Sequence, residues 1–282
     1  MSAYLRVAAA SIGPANGDLS ASLDEASHAI ARLATRGARL LVLPELFALP
    51  YTAGEDPALW PIRAEPLDGP TSRWARAEAI RHRIDIVFGM ALATGAAKPL
   101  NAAVLARADG TLEHVASKRN LPPPGRNESF GEIDHFAPGD STIECFVIDT
   151  IRIAVLICYD RRIPDRWHAA MRAGADLVLV LVAGPAPQDP DGFYLSELRG
   201  RAWTHSVYVL AAARCGTETV LGRPTRHDGQ TIAIDPSGMI RSRDEDVREG
   251  IAVLDLDLTE ISALRSIRPR RASPAGTAAL II

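Results

Sequence analysis

Ile151-Arg152-Ile153-Ala154-Val155-Leu156-Ile157 runs directly into Cys158-Tyr159-Asp160-Arg161-Arg162-Ile163-Pro164-Asp165. The first seven residues have the β-branched, apolar character of a strand, and the polar turn ending in proline marks the start of a helix. A strand that stops at a thiol and turns into a helix presents that thiol at the carboxyl edge of a sheet. Sites on open α/β sheets are built at such edges, and a thiol there is a candidate nucleophile.

Working outward, strand-like runs recur at Leu5–Ala10, Leu40–Leu43, Asp85–Met90, Ala102–Ala106, Thr142–Asp149, Leu177–Val182, Val207–Ala213, Thr231–Asp235 and Gly250–Leu256. With Ile151–Ile157 they make ten, more than one small sheet holds. Apolar residues return at helical spacing over Leu19–Thr35, Thr71–His82, Pro164–Ala173 and Gly192–Thr204, after starters such as Asp18, Thr71 and Asp191. Asp109-Gly110, between Ala103–Ala106 and Leu112–Ala116, reads as a hairpin turn, and Thr150 as another, so the sheets are expected to be mixed. Leu121-Pro122-Pro123-Pro124-Gly125 reads as a stiff, ordered loop because proline cannot donate to a ladder.

The chain has 282 residues and no stretch of linker composition, which predicts a single α/β domain over 1–282. With 47% hydrophobic residues and a net charge of −3 it can bury a large core and has no basic bias toward nucleic acid, so a small-molecule substrate is the expected partner. No run reaches membrane-spanning length, and Met1-Ser2-Ala3-Tyr4-Leu5-Arg6 lacks the pattern of an export signal. The three cysteines, 145, 158 and 215, have neither disulfide-framework nor zinc-ligand spacing, which suits a reducing cytoplasm and predicts no metal.

Three strand ends carry reactive groups: Leu41-Val42-Leu43-Pro44-Glu45, Val115-Ala116-Ser117-Lys118 and Ile157-Cys158. Taken singly, Glu45 reads as a solvated strand-end carboxylate, Lys118 as a solvated lysine and Cys158 as a buried hydrophobe. Together they meet a chemical list. A thiol needs a base to release its proton, and an oxyanion formed on its substrate needs a cation or backbone donors. Carboxylate, ammonium and thiol supply these without a histidine.

From about Leu5 to about Arg271 the sequence resembles the nitrilase, or carbon-nitrogen hydrolase, superfamily. Glu45 in Leu-Val-Leu-Pro-Glu-Leu resembles the family's general base, Lys118 in Ala-Ser-Lys-Arg-Asn-Leu its oxyanion-stabilising lysine, and Cys158 in Ile-Cys-Tyr-Asp-Arg-Arg-Ile-Pro-Asp its nucleophile. Glu132 in Gly-Glu-Ile-Asp-His-Phe-Ala-Pro-Gly-Asp stands where these enzymes often carry a second active-site glutamate; alone it reads as a loop carboxylate. Ala173-Gly174-Ala175-Asp176, Gly200-Arg201-Ala202 and Ile234-Asp235-Pro236-Ser237-Gly238 also follow the family pattern. Departures occur at Thr204-His205 in place of a Glu-Asn pair, at Ala213 or Arg214 in place of an asparagine, and over Leu221–His227, where Phe-Xaa-Gly-Xaa-Ser is common. These bear on subfamily and substrate.

The resemblance implies a four-layer α-β-β-α sandwich of two mixed sheets, no cofactor, and a homodimer or higher homo-oligomer with the 268–282 tail docked at the interface. It implies a cysteine-dependent hydrolase of non-peptide C–N bonds, either a small-amide amidase or an N-carbamoyl amino acid or amine amidohydrolase, working through a thioester. Nitrile hydrolysis, acyl transfer by the same site and a non-catalytic binding member are the alternatives. The backbone N–H of Tyr159 is expected to share the oxyanion with Lys118. Arg161 and Arg162 admit two readings, a fork for a substrate carboxylate or structural pairs with Asp160 or Asp165, the structural one favoured for Arg161. Cys145 and Cys215 read as packing residues. His135 and His205 lie near motif positions without ligand spacing, and Trp60, Trp74, Trp167 and Trp203 read as core or interface residues.

Overall fold

Alternate residues of the central strands are buried in opposite directions, and this alternation creates the layers. The computed structural model describes residues 4–51, 54–58, 62–125, 128–184, 192–220, 222–242, 246 and 249–267. One sheet contains β1 (Leu5–Ala10), β2 (Leu40–Val42), β3 (Asp85–Leu92), β4 (Leu100–Ala106), β5 (Leu112–Ser117) and β13 (Ile251–Leu256), in the order β13-β1-β2-β3-β4-β5. The other contains β6 (Phe146–Ile148), β7 (Ile151–Ile157), β8 (Leu177–Val182), β9 (Tyr208–Ala213) and β12 (Ile232–Ile234), in the order β12-β9-β8-β7-β6. The centres, β1-β2-β3 and β7-β8-β9, are parallel, and the remaining neighbours pair antiparallel, so both sheets are mixed.

Val7 and Ala9 face Ile153, Val155, Ile157, Leu177, Leu179 and Leu181 in one core between the sheets. Their neighbours Ala8 and Ala10 turn outward, where Ala26, Ile30 and Leu33 of α1 (Leu19–Thr35) and Ala75 and Ala79 of α2 (Pro70–His82) cover them. On the opposite side Ala154, Leu156, Val178 and Val180 meet Trp167 and Ala170 of α4 (Pro164–Arg172) and Leu198 and Ala202 of α5 (Phe193–His205). A period of two with both faces apolar forces helices onto both outer surfaces, which gives the expected four-layer α-β-β-α sandwich.

The hairpins at Asp109-Gly110 and Thr150 are present, joining β4 to β5 and β6 to β7. Asp18 caps α1 by accepting the Ala21 N–H at 3.1 Å. Other expectations need correction. Helix α2 begins at Pro70, with Gly69 before it, because the Glu65 carboxylate takes both the N–H and the hydroxyl of Thr71. The runs at Thr142–Asp149 and Thr231–Asp235 contract to Phe146–Ile148 and Ile232–Ile234, since their polar ends do not enter the ladder. A separate antiparallel ribbon, β10 (Cys215–Val220) and β11 (Arg223–Asp228), and two helices, α3 (Glu132–His135) and α6 (Leu258–Ile267), were not expected. Pro224 and the polar ribbon residues argue against strand at the level of sequence. Trp60, Asp191 and the 268–282 tail lie outside the described residues.

Among the described residues no helix is long and apolar enough to cross a membrane, and no cluster of three His, Cys, Asp or Glu side chains could hold a metal ion.

Candidate active site

Because β3–β4 and β4–β5 are both antiparallel, β5 runs in the direction of β2, and both deliver their following residues to one end of the first sheet. Glu45 follows β2 and Lys118 follows β5. From the facing sheet, Cys158 follows β7 and Ala183 follows β8. The segment after β2 crosses directly over β3 at Gly89, where a Cβ would stand 2.5 Å from the Glu45 Cα. Only glycine allows this approach.

Glu45 and Lys118 are both fully buried, and Glu132 and Asn101 are buried beside them. Glu45 Oε1 accepts from Lys118 Nζ at 2.8 Å and from Asn101 Nδ2 at 2.7 Å, while Oε2 accepts the Ala183 N–H at 2.7 Å. Lys118 Nζ also reaches Glu132 Oε1 at 2.7 Å and Oε2 at 2.6 Å. Glu132 Oε1 further accepts from the Tyr51 hydroxyl at 2.9 Å. One ammonium thus bridges two carboxylates, in a setting where a lone charge would be costly.

The electrostatics follow from that bridge. Burial lowers the Lys118 pKa, but the thiolate that Cys158 forms on ionising and the charges of Glu132 and Glu45 outweigh it, so the ammonium is held well above the usual lysine range. Burial raises Glu132, with Lys118 pulling the other way and Glu45 reinforcing the rise. Burial and then the Glu45 charge push the Cys158 thiol up to about 11, opposed by Lys118. At neutral pH the resting group is therefore a thiol.

Cys158 opens a short 3-10 turn over Cys158–Arg162 with φ of 48°, and Leu46, next to Glu45, has φ of 45°. Non-glycine residues in the left-handed region cost on the order of 1–3 kcal/mol each, and here one is Cys158 itself and the other adjoins Glu45. Asp160 in the same turn is buried and accepts the N–H groups of Arg119 at 3.2 Å and Asn120 at 2.8 Å. The turn that opens at Cys158 is thereby tied to the loop that follows Lys118. The Tyr159 N–H lies in the first turn of this helix, where donors have no intrahelical acceptor.

The two arginines diverge. Arg161 is buried, pairs with Glu197 of α5 at 3.2 Å, lies over the Tyr194 ring and donates to the Cys158 carbonyl at 3.3 Å. Among the described residues its acidic partner is Glu197, instead of Asp160 or Asp165, because the turn aims the guanidinium at the neighbouring helix. Arg162 stacks over the Tyr159 ring at 5.5 Å. Cys145 packs against the outer core of the second sheet, and Cys215 begins β10 with its thiol 3.7 Å from the Gly13 carbonyl. His135 binds the Glu55 carbonyl at 2.9 Å, and His205 stacks on Trp167. Trp167 is fully buried and Trp74 caps the α1–α2 core, whereas Trp203 is half exposed.

Three contributors were not expected: Asn101, Tyr51 and the Ala183 N–H. Asn101 had a signal, a lone amide within the apolar run Leu100–Ala106, which a buried strand tolerates only when the amide is bonded. Tyr51 and Ala183 had none.

The arrangement can be set beside known proteins. The carbon-nitrogen hydrolase family model matches residues 6–266. A protein named hydrolase in pqqF 5'region, from Pseudomonas protegens, is 31% identical over 215 residues, covering 75% of this chain and 69% of its own length. An N-carbamoylputrescine amidase from Oryza sativa subsp. japonica is 28% identical over 261 residues, covering 87% and 84%. Among solved structures, a cysteine-to-alanine variant of the amidase from Nesterenkonia sp. AN1, in complex with butyramide, superposes with a TM-score of 0.76 at 26% identity, covering 93% of this chain and 95% of that one. The chain belongs to the carbon-nitrogen hydrolase family and is a hydrolase of the nitrilase superfamily.

Proposed function

We propose that this carbon-nitrogen hydrolase cleaves a small aliphatic amide or an N-carbamoyl compound through a thioester on Cys158, with Glu45 as general base and Lys118 as oxyanion donor. The observation that carries the reading is the fully buried Lys118 ammonium held between Glu45 and Glu132, within electrostatic reach of the Cys158 thiol. The relatives named above, an amidase that binds butyramide and an N-carbamoylputrescine amidase, support the substrate class.

In this reading the Cys158 proton passes to Glu45 as the sulfur attacks the carbonyl carbon. The resulting oxyanion is met by Lys118 and the Tyr159 N–H, and a preorganised donor of this kind is worth roughly 3–4 kcal/mol to the transition state. Glu45 returns the proton to the departing nitrogen, the C–N bond breaks, and a thioester remains. Glu45 then takes a proton from water, whose oxygen attacks the acyl carbon, and gives that proton to the sulfur as the C–S bond breaks, which releases the acid and restores the thiol. Glu132 holds Lys118 in place throughout.

The test is ammonia release from a panel of aliphatic amides, N-carbamoyl amino acids, N-carbamoyl amines and nitriles, run beside Cys158→Ala. Turnover of at least one amide or carbamoyl compound by the wild type, absent in the variant, is expected. Equal inertness of the two proteins on the whole panel overturns the reading. The same reading includes a homodimer; Trp203 and Met239, 51% and 54% exposed and adjacent at Gly238, are apolar surface that a second copy would cover. Light scattering showing a clean monomer would remove that part.

A further inference from the structure

The β10–β11 ribbon belongs to neither sheet, yet it carries a buried ionic group beside the site. Gly216 stands opposite His227 in the ribbon register, and Glu218 lies two residues further along the same face. With no side chain at Gly216, the His227 ring leans across to Glu218, and its Nε2 lies 3.0 Å from Glu218 Oε1. Arg214, at the entrance to the ribbon, donates to Glu218 Oε2 at 2.6 Å. All three residues are at most 3% exposed. A carboxylate only accepts, so His227 carries its proton on Nε2.

The group has one more bond, and it leads to the site. Glu218 Oε1 also accepts the backbone N–H of Tyr51 at 2.8 Å, while the His227 ring meets the Tyr51 ring edge-on with centroids 6.4 Å apart. Tyr51 is thereby held at both its backbone and its ring. Its hydroxyl donates to Glu132 Oε1, the oxygen that also binds Lys118. Tyr51 is kept protonated, and so a donor, by burial and by the charges of Glu132 and Glu45.

We propose that Arg214, Glu218 and His227 are positioning residues, which act through Tyr51 to set Glu132 and hence the direction in which Lys118 faces the Cys158 thiol. The proposal rests on the site reading above, but not on any particular substrate. A ribbon needed only for packing could use apolar residues here, since a buried ion pair adds little net stability compared with well-packed hydrophobes. Bonding to the Tyr51 backbone gives the charges a task that apolar groups cannot perform.

The test uses iodoacetamide on the full chain, with alkylation of Cys158 followed residue by residue by mass spectrometry near pH 7.5. Glu218→Ala and Tyr51→Phe are each expected to slow Cys158 alkylation about five-fold or more, and the double variant to be no slower than the slower single one, since both act along one path. Alkylation of Glu218→Ala at the wild-type rate, or a double variant slowed by the product of the two effects, overturns the proposal. Should Glu218→Ala fail to fold, His227→Gln against His227→Phe decides. Glutamine can still donate to Glu218 and is expected to stay within about two-fold of wild type, while phenylalanine cannot and is expected to fall as Tyr51→Phe does; equal rates for the two overturn the proposal. A wild-type Cys158 no more reactive than Cys145 would instead count against Cys158 as the nucleophile. The ratios between variants would still be readable, so the two failures are distinguishable.

Discussion

The Glu45 carboxylate, which follows β2 of the first sheet, accepts the backbone N–H of Ala183, the residue after β8 of the second sheet, at 2.7 Å. That bond crosses the sandwich interface. Closure of the two sheets therefore does more than bury apolar surface: it fixes the free oxygen of the carboxylate whose other oxygen is shared by Lys118 and Asn101.

All three donors to Glu45 are N–H groups, so Glu45→Gln places an amide NH2 against at least one of them. A cost of about 1–3 kcal/mol in stability is expected from the unsatisfied donors. Turnover should fall by roughly 10²–10⁴ through loss of the base. Denaturant melts and ammonia release measure the two effects separately, and a Gln variant with wild-type turnover would exclude Glu45 as base.

Replacing Lys118 by methionine keeps the volume but leaves Glu45 and Glu132 facing each other with no cation between them. Stranding a buried charge costs about 3–5 kcal/mol. For a chain of this size that corresponds to a fall in melting temperature on the order of 10 °C. Adding Glu132→Gln removes one of the stranded charges and should recover part of the melting temperature without recovering activity. A double variant less stable than Lys118→Met would contradict the bridge.

The thiol's rise from its ordinary value near 9 to about 11 fixes a sign for alkaline pH. Within that window the unfolded chain loses the Cys158 proton while the folded chain keeps it, so the unfolded state binds fewer protons and stability falls as pH rises. The raised Lys118 pKa acts in the same direction at still higher pH. Thermal melts across this window should decline less steeply in Cys158→Ala than in wild type, and parallel declines would show that the thiol is not shifted upward.

Arg161 is bound to Glu197, Tyr194 and the Cys158 carbonyl. Arg161→Ala is expected to lower the melting temperature through loss of its ion pair with Glu197, its stacking on Tyr194 and its bond to the Cys158 carbonyl, and to leave the ratio of turnover on N-carbamoyl amino acids to that on N-carbamoyl amines unchanged. A selective loss on the carboxylate-bearing substrates would assign Arg161 to substrate binding instead.

Much of the fold was legible because both sheets are built from runs whose two faces are apolar, such as Ile151–Ile157 and Leu177–Val182, and such runs have few alternatives to a buried strand. The ribbon was not legible. Its strands, Cys-Gly-Thr-Glu-Thr-Val and Arg-Pro-Thr-Arg-His-Asp, carry glycine, proline and charge, and they are held by buried ionic bonds that leave no periodic pattern. Helix α3 is four residues long, too short for periodicity to register, although it carries Glu132.

The sequence by itself determined the strand and helix runs, the three strand ends that bear Glu45, Lys118 and Cys158, and, through its motifs, the family whose resemblance implied the layers, since apolar periodicity and local motif order are properties of neighbouring residues. Only the tertiary structure decided what surrounds those groups. Ala183 on Glu45, Tyr51 on Glu132, Asn101 between the two carboxylates and Glu197 on Arg161 come from segments far apart in the chain, and Lys118 is an ammonium bridge because folding removes the water that would otherwise separate the charges. Apart from the lone amide of Asn101 in an apolar run, hydrogen-bond partners chosen by burial and direction leave no trace in a linear sequence.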